Sequence, residues 1–240
     1  MAKYRFTGDD RPPPGWRRFA EADWLFPRLL RGFGEVDVLG PKDGPPAYVI
    51  PGFFASDKTC NGLREAIAAA GWRTYPWDLG LNKGAHADVL RHVRQRLEVI
   101  HDGRPILVVG WSLGGVYARE IAREVPELVR AVVTLGSPFS GDPHMNNVWR
   151  LYELVAGHKV DDPPVMHYPD KPPVPTLAIW SAKDGIIARR AARGLDGERD
   201  KEVEMRCSHM AFGVSRKAGE QVAREIAQFL NEVEGRESRD

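Results

Sequence analysis

A chain of 240 residues is long enough to bury one substantial core. With 42% apolar and 28% charged residues and a formal net charge of +1, it lacks the basic excess that would draw nucleic acid or an anionic membrane. Two cysteines, Cys60 and Cys207, make no disulfide framework and fit a reducing compartment. The opening run Met1-Ala2-Lys3-Tyr4-Arg5-Phe6 enters Arg and Pro without the apolar stretch of a signal peptide, and no apolar run is long enough to cross a bilayer. A soluble, cytoplasmic protein without stable membrane insertion is expected.

Up to about Gly34 the chain is rich in Arg, Pro and aromatics and has no clear period. Trp16, Phe19, Trp24, Leu25, Phe26, Leu29 and Leu30 are compatible with a helix packed on the body of one domain spanning 1–240. From there strand and helix signals alternate. Ala47–Ile50 reads as a strand, Lys58–Ala70 as a helix stopped at Gly71, and Arg73–Tyr75 as the next strand. Ala85–Ile100 is a predicted helix with Val89, Val93, Leu97 and Ile100 on one face. Strand 106–109 and helix 113–125 follow, then strands 129–135, 176–180 and 202–205, and a closing helix over 218–233. Alternation of this kind, with near-continuous apolar strands, predicts an α/β protein with a mainly parallel central sheet covered by helices on both faces.

One stretch breaks the rhythm. Residues 140–175 are too long for a plain connection between two strands. Asp142-Pro143 reads as an N-cap with proline at the first helical position, and Met145, Val148, Trp149, Tyr152 and Val155 then form an apolar stripe ending before Gly157. A small helical lid insertion is expected. Its Asp142, His144, His158, Asp161, Asp162 and His167 have no tight ligand spacing, so they read as a solvated surface and no metal is expected.

The most specific motif is Gly110-Trp111-Ser112-Leu113-Gly114, set between an apolar strand and a helix. In that setting Gly-x-Ser-x-Gly is a nucleophile elbow. The turn strains the serine backbone, and the flanking glycines avoid a clash. The helix N-terminus then favours negative charge at the hydroxyl. A serine hydroxyl needs a base, most often a histidine oriented by a carboxylate, and after such an elbow the order is Ser, Asp or Glu, His. Asp184 lies just past strand 176–180, and His209, the only histidine after His167, follows strand 202–205. Oxyanion donors are expected from the backbone N–H of Leu113 and from the loop after strand 47–50, at Phe53 with Phe54 as the neighbouring choice. Apolar residues flanking these positions, Phe53, Phe54, Trp111, Phe139, Met145, Trp149, Met210 and Phe212, are candidates for an acyl pocket, though each suits a core position equally.

Taken together, these segments resemble the α/β-hydrolase superfamily over about Ala47–Leu230. The runs Gly110–Arg119, Thr134–Phe139, Trp77–Gly84 and Asp184–Ile187 look like bacterial esterase/lipase-like members. The resemblance implies nucleophile Ser112, acid Asp184, base His209 and oxyanion donors near Phe53 and Leu113, acting on a small-molecule ester. The oxyanion loop departs from the frequent His-Gly start, reading Pro51-Gly52. Acyl transfer to an alcohol or amine would use the same residues, and a binding protein on this fold is the non-catalytic alternative. A serine at the elbow disfavours dehalogenase chemistry, which needs a carboxylate there. No phosphate or dinucleotide motif is present, so no cofactor is expected.

Overall fold

Alternate side chains of the strand Ile106–Trp111 enter two different cores, and every one of its residues is buried. The computed structural model describes residues 8–22, 36–164 and 167–238. Within them six strands form one sheet: β1 (Pro46–Ile50), β2 (Arg73–Tyr75), β3 (Ile106–Trp111), β4 (Val129–Leu135), β5 (Thr176–Trp180) and β6 (Lys201–Glu204). Their order is β2-β1-β3-β4-β5-β6, and all neighbours run parallel. The helices are α1 (Arg17–Ala22), α2 (Asn61–Ala69), α3 (Val89–Ile100), α4 (Leu113–Glu124), α5 (Trp149–Ala156), α6 (Arg189–Arg193), α7 (His209–Val214) and α8 (Arg216–Glu237).

On one face of the sheet Val49, Leu107, Val109, Val133 and Ile179 meet Leu63 and Ile67 of α2 and Val222, Ile226 and Phe229 of α8. On the other, Tyr48, Ile50, Ile106, Val108 and Val132 meet Val93 and Leu97 of α3 and Ala118 and Ile121 of α4. Each such aliphatic side chain contributes about 1.5–3 kcal/mol by leaving water. This is the α/β-hydrolase fold, a parallel sheet between two helical layers. Connections from β1 go first outward to β2 and then back across to β3, so the order reverses between β1 and β3. The carboxyl ends of those two strands flank the crevice where open α/β sheets bind ligands.

Three sequence expectations change. The helix expected from Ala85 begins at Val89. The Ala85 N–H instead donates to Tyr152 Oη at 3.1 Å, and its carbonyl lies 3.1 Å from His158 Nε2, which holds residues 85–88 out of the helix. In the insertion, α5 starts at Trp149 and not after Asp142-Pro143. Asp142 Oδ1 accepts the His144 N–H in a local turn, Asn146 pairs with Ile187 as an isolated bridge, and Asn146 Oδ1 accepts from Val148 N–H just before the helix. At the N-terminus, α1 covers Arg17–Ala22, but Trp16 and Phe19 are 66% and 77% exposed, so neither packs it down. Its buried anchor is the carboxylate side chain of Glu21. Trp24, Leu25, Phe26, Leu29 and Leu30 lie outside the described residues.

Candidate active site

Ser112 sits between β3 and α4 at φ 53° and ψ −123°, a conformation few non-glycine residues adopt. Sequence makes the turn feasible. A Cβ on Gly110 would come within 2.3 Å of the Gly114 carbonyl oxygen, and one on Gly114 within 2.3 Å of the Ile50 carbonyl oxygen. Hydrogen bonds fix the strained residue: its N–H donates to Leu135 O at 2.8 Å, and its carbonyl accepts from Gly115 N–H at 3.0 Å. The half-buried hydroxyl therefore stands at the first turn of α4, where unpaired N–H groups face outward.

Asp184 follows β5 and His209 opens α7 after β6, so both arrive at the same edge as Ser112. The carboxylate and imidazole touch, with Asp184 Oδ2 2.7 Å from His209 Nδ1. The other carboxylate oxygen accepts from Ile186 N–H at 2.7 Å and Ile187 N–H at 2.8 Å, which orients the group. Gly136, at φ 53°, passes so close that a Cβ there would lie 3.1 Å from both members of the pair. Trp111, one residue before Ser112, donates its indole N–H to His209 O at 3.2 Å and brings the histidine backbone to the elbow. Among the described residues Ser112 Oγ has no hydrogen-bond partner, so the hydroxyl is uncommitted.

Burial alone would pull the His209 pKa down, but the adjacent Asp184 charge, its hydrogen bond and the nearby Glu21 charge outweigh it, leaving the imidazole above its ordinary value. The Cys207 thiol, two residues away, is pushed up to about 12 by burial and the Asp184 and Glu21 charges. It stays a thiol and does not compete as a nucleophile.

Of the two oxyanion candidates after β1, Phe54 donates its N–H to Asn82 O at 2.7 Å and takes φ 58°, which leaves the Phe53 N–H without a partner among the described residues. The Leu113 N–H is likewise uncommitted. Asn82 also donates from Nδ2 to Pro51 O at 2.8 Å, so it shapes this loop from both sides. An apolar cavity of about 140 Å³ opens over Ser112 and is walled by Phe53, Leu113, Val116, Tyr117, Val148, Trp149, Tyr152 and Ile187. Trp149 is thus at the pocket. Trp111, Phe139, Met145, Met210 and Phe212 are buried elsewhere in the packing, and Phe54 is 41% exposed, edge-on to Phe53. Three of the residues shaping the site had no individual function assigned from sequence: Asn82 and Gly136, which lie inside runs that carry the resemblance, and Glu21. For Gly136 the cue is its place directly after β4, opposite the elbow; Glu21 sits in an aperiodic segment with no motif.

A family model of the alpha/beta hydrolase fold matches residues 30–163. No curated protein sequence matches the chain. Among solved structures it is similar to a membrane phospholipase A described as a bacterial virulence factor, at 15% identity, with 92% of each chain covered and a TM-score of 0.61. It is also similar to the monoacylglycerol lipase of Paleococcus ferrophilus, at 16% identity and a TM-score of 0.55, covering 81% of this chain and 98% of that one. A thioesterase domain from the curacin biosynthetic pathway matches at 13% identity and a TM-score of 0.55, over 82% and 98% of the respective chains. At these identities the likeness speaks for fold. With the family match covering more than half its length and the parallel sheet and elbow that go with it, the chain belongs to the alpha/beta hydrolase fold family.

Proposed function

We propose that the protein is a serine hydrolase that cleaves a carboxylic ester through an acyl-enzyme. Ser112 Oγ attacks the ester carbonyl while His209 accepts its proton. Asp184 holds the imidazole by Nδ1 and stabilises the imidazolium that forms. The N–H groups of Phe53 and Leu113 receive the oxyanion. As the tetrahedral intermediate collapses, the protonated His209 gives its proton to the departing alkoxide. Water, deprotonated by the same imidazole, then attacks the acyl-enzyme and frees the acid and Ser112.

The observation that carries this reading is the 2.7 Å Asp184–His209 pair at the sheet edge that also bears the strained serine. The apolar cavity supports an acyl or aromatic acid portion. We read the insertion as a lid, a reading supported by Val148, Trp149 and Tyr152, which line the cavity. At about 140 Å³ the cavity is close to the size of one that holds benzene, which favours short acyl groups.

Hydrolysis of p-nitrophenyl esters from acetate to palmitate by wild type and Ser112→Ala tests the proposal. Butyrate should be turned over faster than palmitate, and Ser112→Ala should lose at least about a thousandfold. Equal turnover by the two proteins would overturn the mechanism.

A further inference from the structure

Behind the acid–base pair lies a second buried carboxylate that the mechanism does not use. Glu21 of α1 is 5% exposed. Its Oε1 accepts from Gly185 N–H at 2.9 Å and from His209 N–H at 2.8 Å, and its Oε2 accepts from Met210 N–H at 2.8 Å. No cation partners it among the described residues; three backbone N–H groups satisfy it instead. Those groups belong to two segments that are otherwise separate in sequence, the turn beginning next to Asp184 and the first turn of α7 at His209 itself. The surrounding contacts reinforce the clamp. Arg17 Nη1 donates to Ala182 O at 2.5 Å, and Asn147 Nδ2 bridges Pro13 O at 2.8 Å and Gly185 O at 2.9 Å.

We propose that Glu21 is a positioning residue for the reaction: its carboxylate locks the turn after Asp184 to the first turn of α7 at His209 and sets the acid–base geometry. The inference rests on the reading of Asp184 and His209 given above. A carboxylate suits this task because it can only accept, and all three facing groups only donate. Its charge also reaches the imidazole, where it favours the protonated form together with Asp184. A residue that merely held α1 in place would act on stability alone.

The test compares wild type, Glu21→Gln and Glu21→Asp in two readouts: the pH profile of p-nitrophenyl butyrate hydrolysis and the pH dependence of Ser112 labelling by a fluorophosphonate. The glutamine amide turns a donor toward donors and removes the charge. Its kcat should fall about 10–100-fold with KM little changed, because Glu21 does not line the cavity. Removing a negative charge makes His209 easier to deprotonate, so the acid limb of both profiles should move down by about half a pH unit or more. Glu21→Asp keeps the charge on a shorter arm, so it should lose kcat yet leave the acid limb at the wild-type pH. Melting temperatures are read alongside. If Glu21→Gln does not fold, Gly185→Ala replaces it, since a Cβ there would lie 2.9 Å from Glu21 Oε1 and 2.6 Å from Arg17 O and pushes the clamp away from the other side. A folded Glu21→Gln or Gly185→Ala protein with unchanged kcat and acid limb overturns the inference. His209→Ala is the control: if it keeps labelling and turnover, the Ser–His–Asp reading fails and the inference with it. If His209→Ala is dead while the Glu21 variants match wild type, only the role of Glu21 fails.

Discussion

The electrostatics of His209 run against its burial. Desolvation disfavours the imidazolium, yet the Asp184 carboxylate at 2.7 Å and the Glu21 charge behind it raise the pKa above the ordinary imidazole range. The proposed base works only when neutral, so raising its pKa moves the acid limb of kcat/KM to higher pH than a free imidazole would give. Asp184→Asn reverses both effects. The acid limb should shift to lower pH, and kcat should fall by about a factor of 10³–10⁴ because the amide no longer stabilises the imidazolium or selects its tautomer. A pH profile of the purified variant checks both, and an acid limb that stays put would show that another group titrates there. The elbow at Ser112 and the placement of Asp184 and His209 after β5 and β6 were legible in the sequence, because a tight strand–turn–helix demands small residues at fixed spacing and because strand ends carry such candidates in a set order. The pocket residues were less so. Apolar side chains near a motif serve core and cavity alike, and Trp111, Phe139, Met145 and Met210 turned inward to packing while Trp149 turned to the cavity.

Among the elements, strands were easier to read than the insertion. β4 and β5 coincide with their predicted spans because runs buried on both faces are apolar throughout and end sharply. The insertion is held by side-chain bonds that no periodicity encodes. Its return limb is tied down by Arg119 of α4, a buried guanidinium that donates to Pro169 O at 2.7 Å, Asp170 O at 2.8 Å and Glu198 O at 3.0 Å and sits 4.2 Å from the Phe139 ring centroid. His167 adds a second tie, with Nδ1 3.0 Å from Glu120 Oε1 and Nε2 2.6 Å from Phe139 O. Replacing Arg119 with leucine keeps apolar bulk but strands the Pro169 and Glu198 carbonyls, while Asp170 O keeps its bond from Arg123, so stability should drop by about 2–4 kcal/mol in denaturant titration. A loss below about 0.5 kcal/mol would mean that water replaces the donor. The outgoing limb sets the cavity wall. Trp149→Ala removes the largest side chain that α5 contributes to it, so the ratio of octanoate to butyrate hydrolysis should rise several-fold while fluorophosphonate labelling of Ser112 persists. An unchanged ratio would place the acyl chain outside this cavity.

Across the whole molecule, the sheet gathers the site from distant parts of the chain: the loops after β1, β3, β5 and β6 meet at one edge, and α1 closes behind them. That last piece was illegible in the sequence, since Glu21 binds only backbone N–H groups more than 160 residues away and such a contact leaves no pattern in residue type. The assembly links folding to the protonation of His209. A group whose pKa is raised in the folded protein binds its proton more tightly there than in the unfolded chain. Its contribution to stability is therefore complete below the ordinary imidazole value of about 6.5 and disappears as pH rises through the folded pKa. The proposed reaction needs the opposite state, a neutral imidazole. Stability from this pair and readiness for catalysis thus trade places across the same pH interval. Denaturant unfolding of wild type and His209→Gln at about pH 5.5 and 8.5 measures the trade, because groups common to both proteins cancel in the difference. The stability advantage of wild type should be larger at the acidic pH and shrink at the alkaline one. A constant difference would mean that burial and the two carboxylates balance at His209, and the acid limb would then fall at the pH of an unperturbed imidazole.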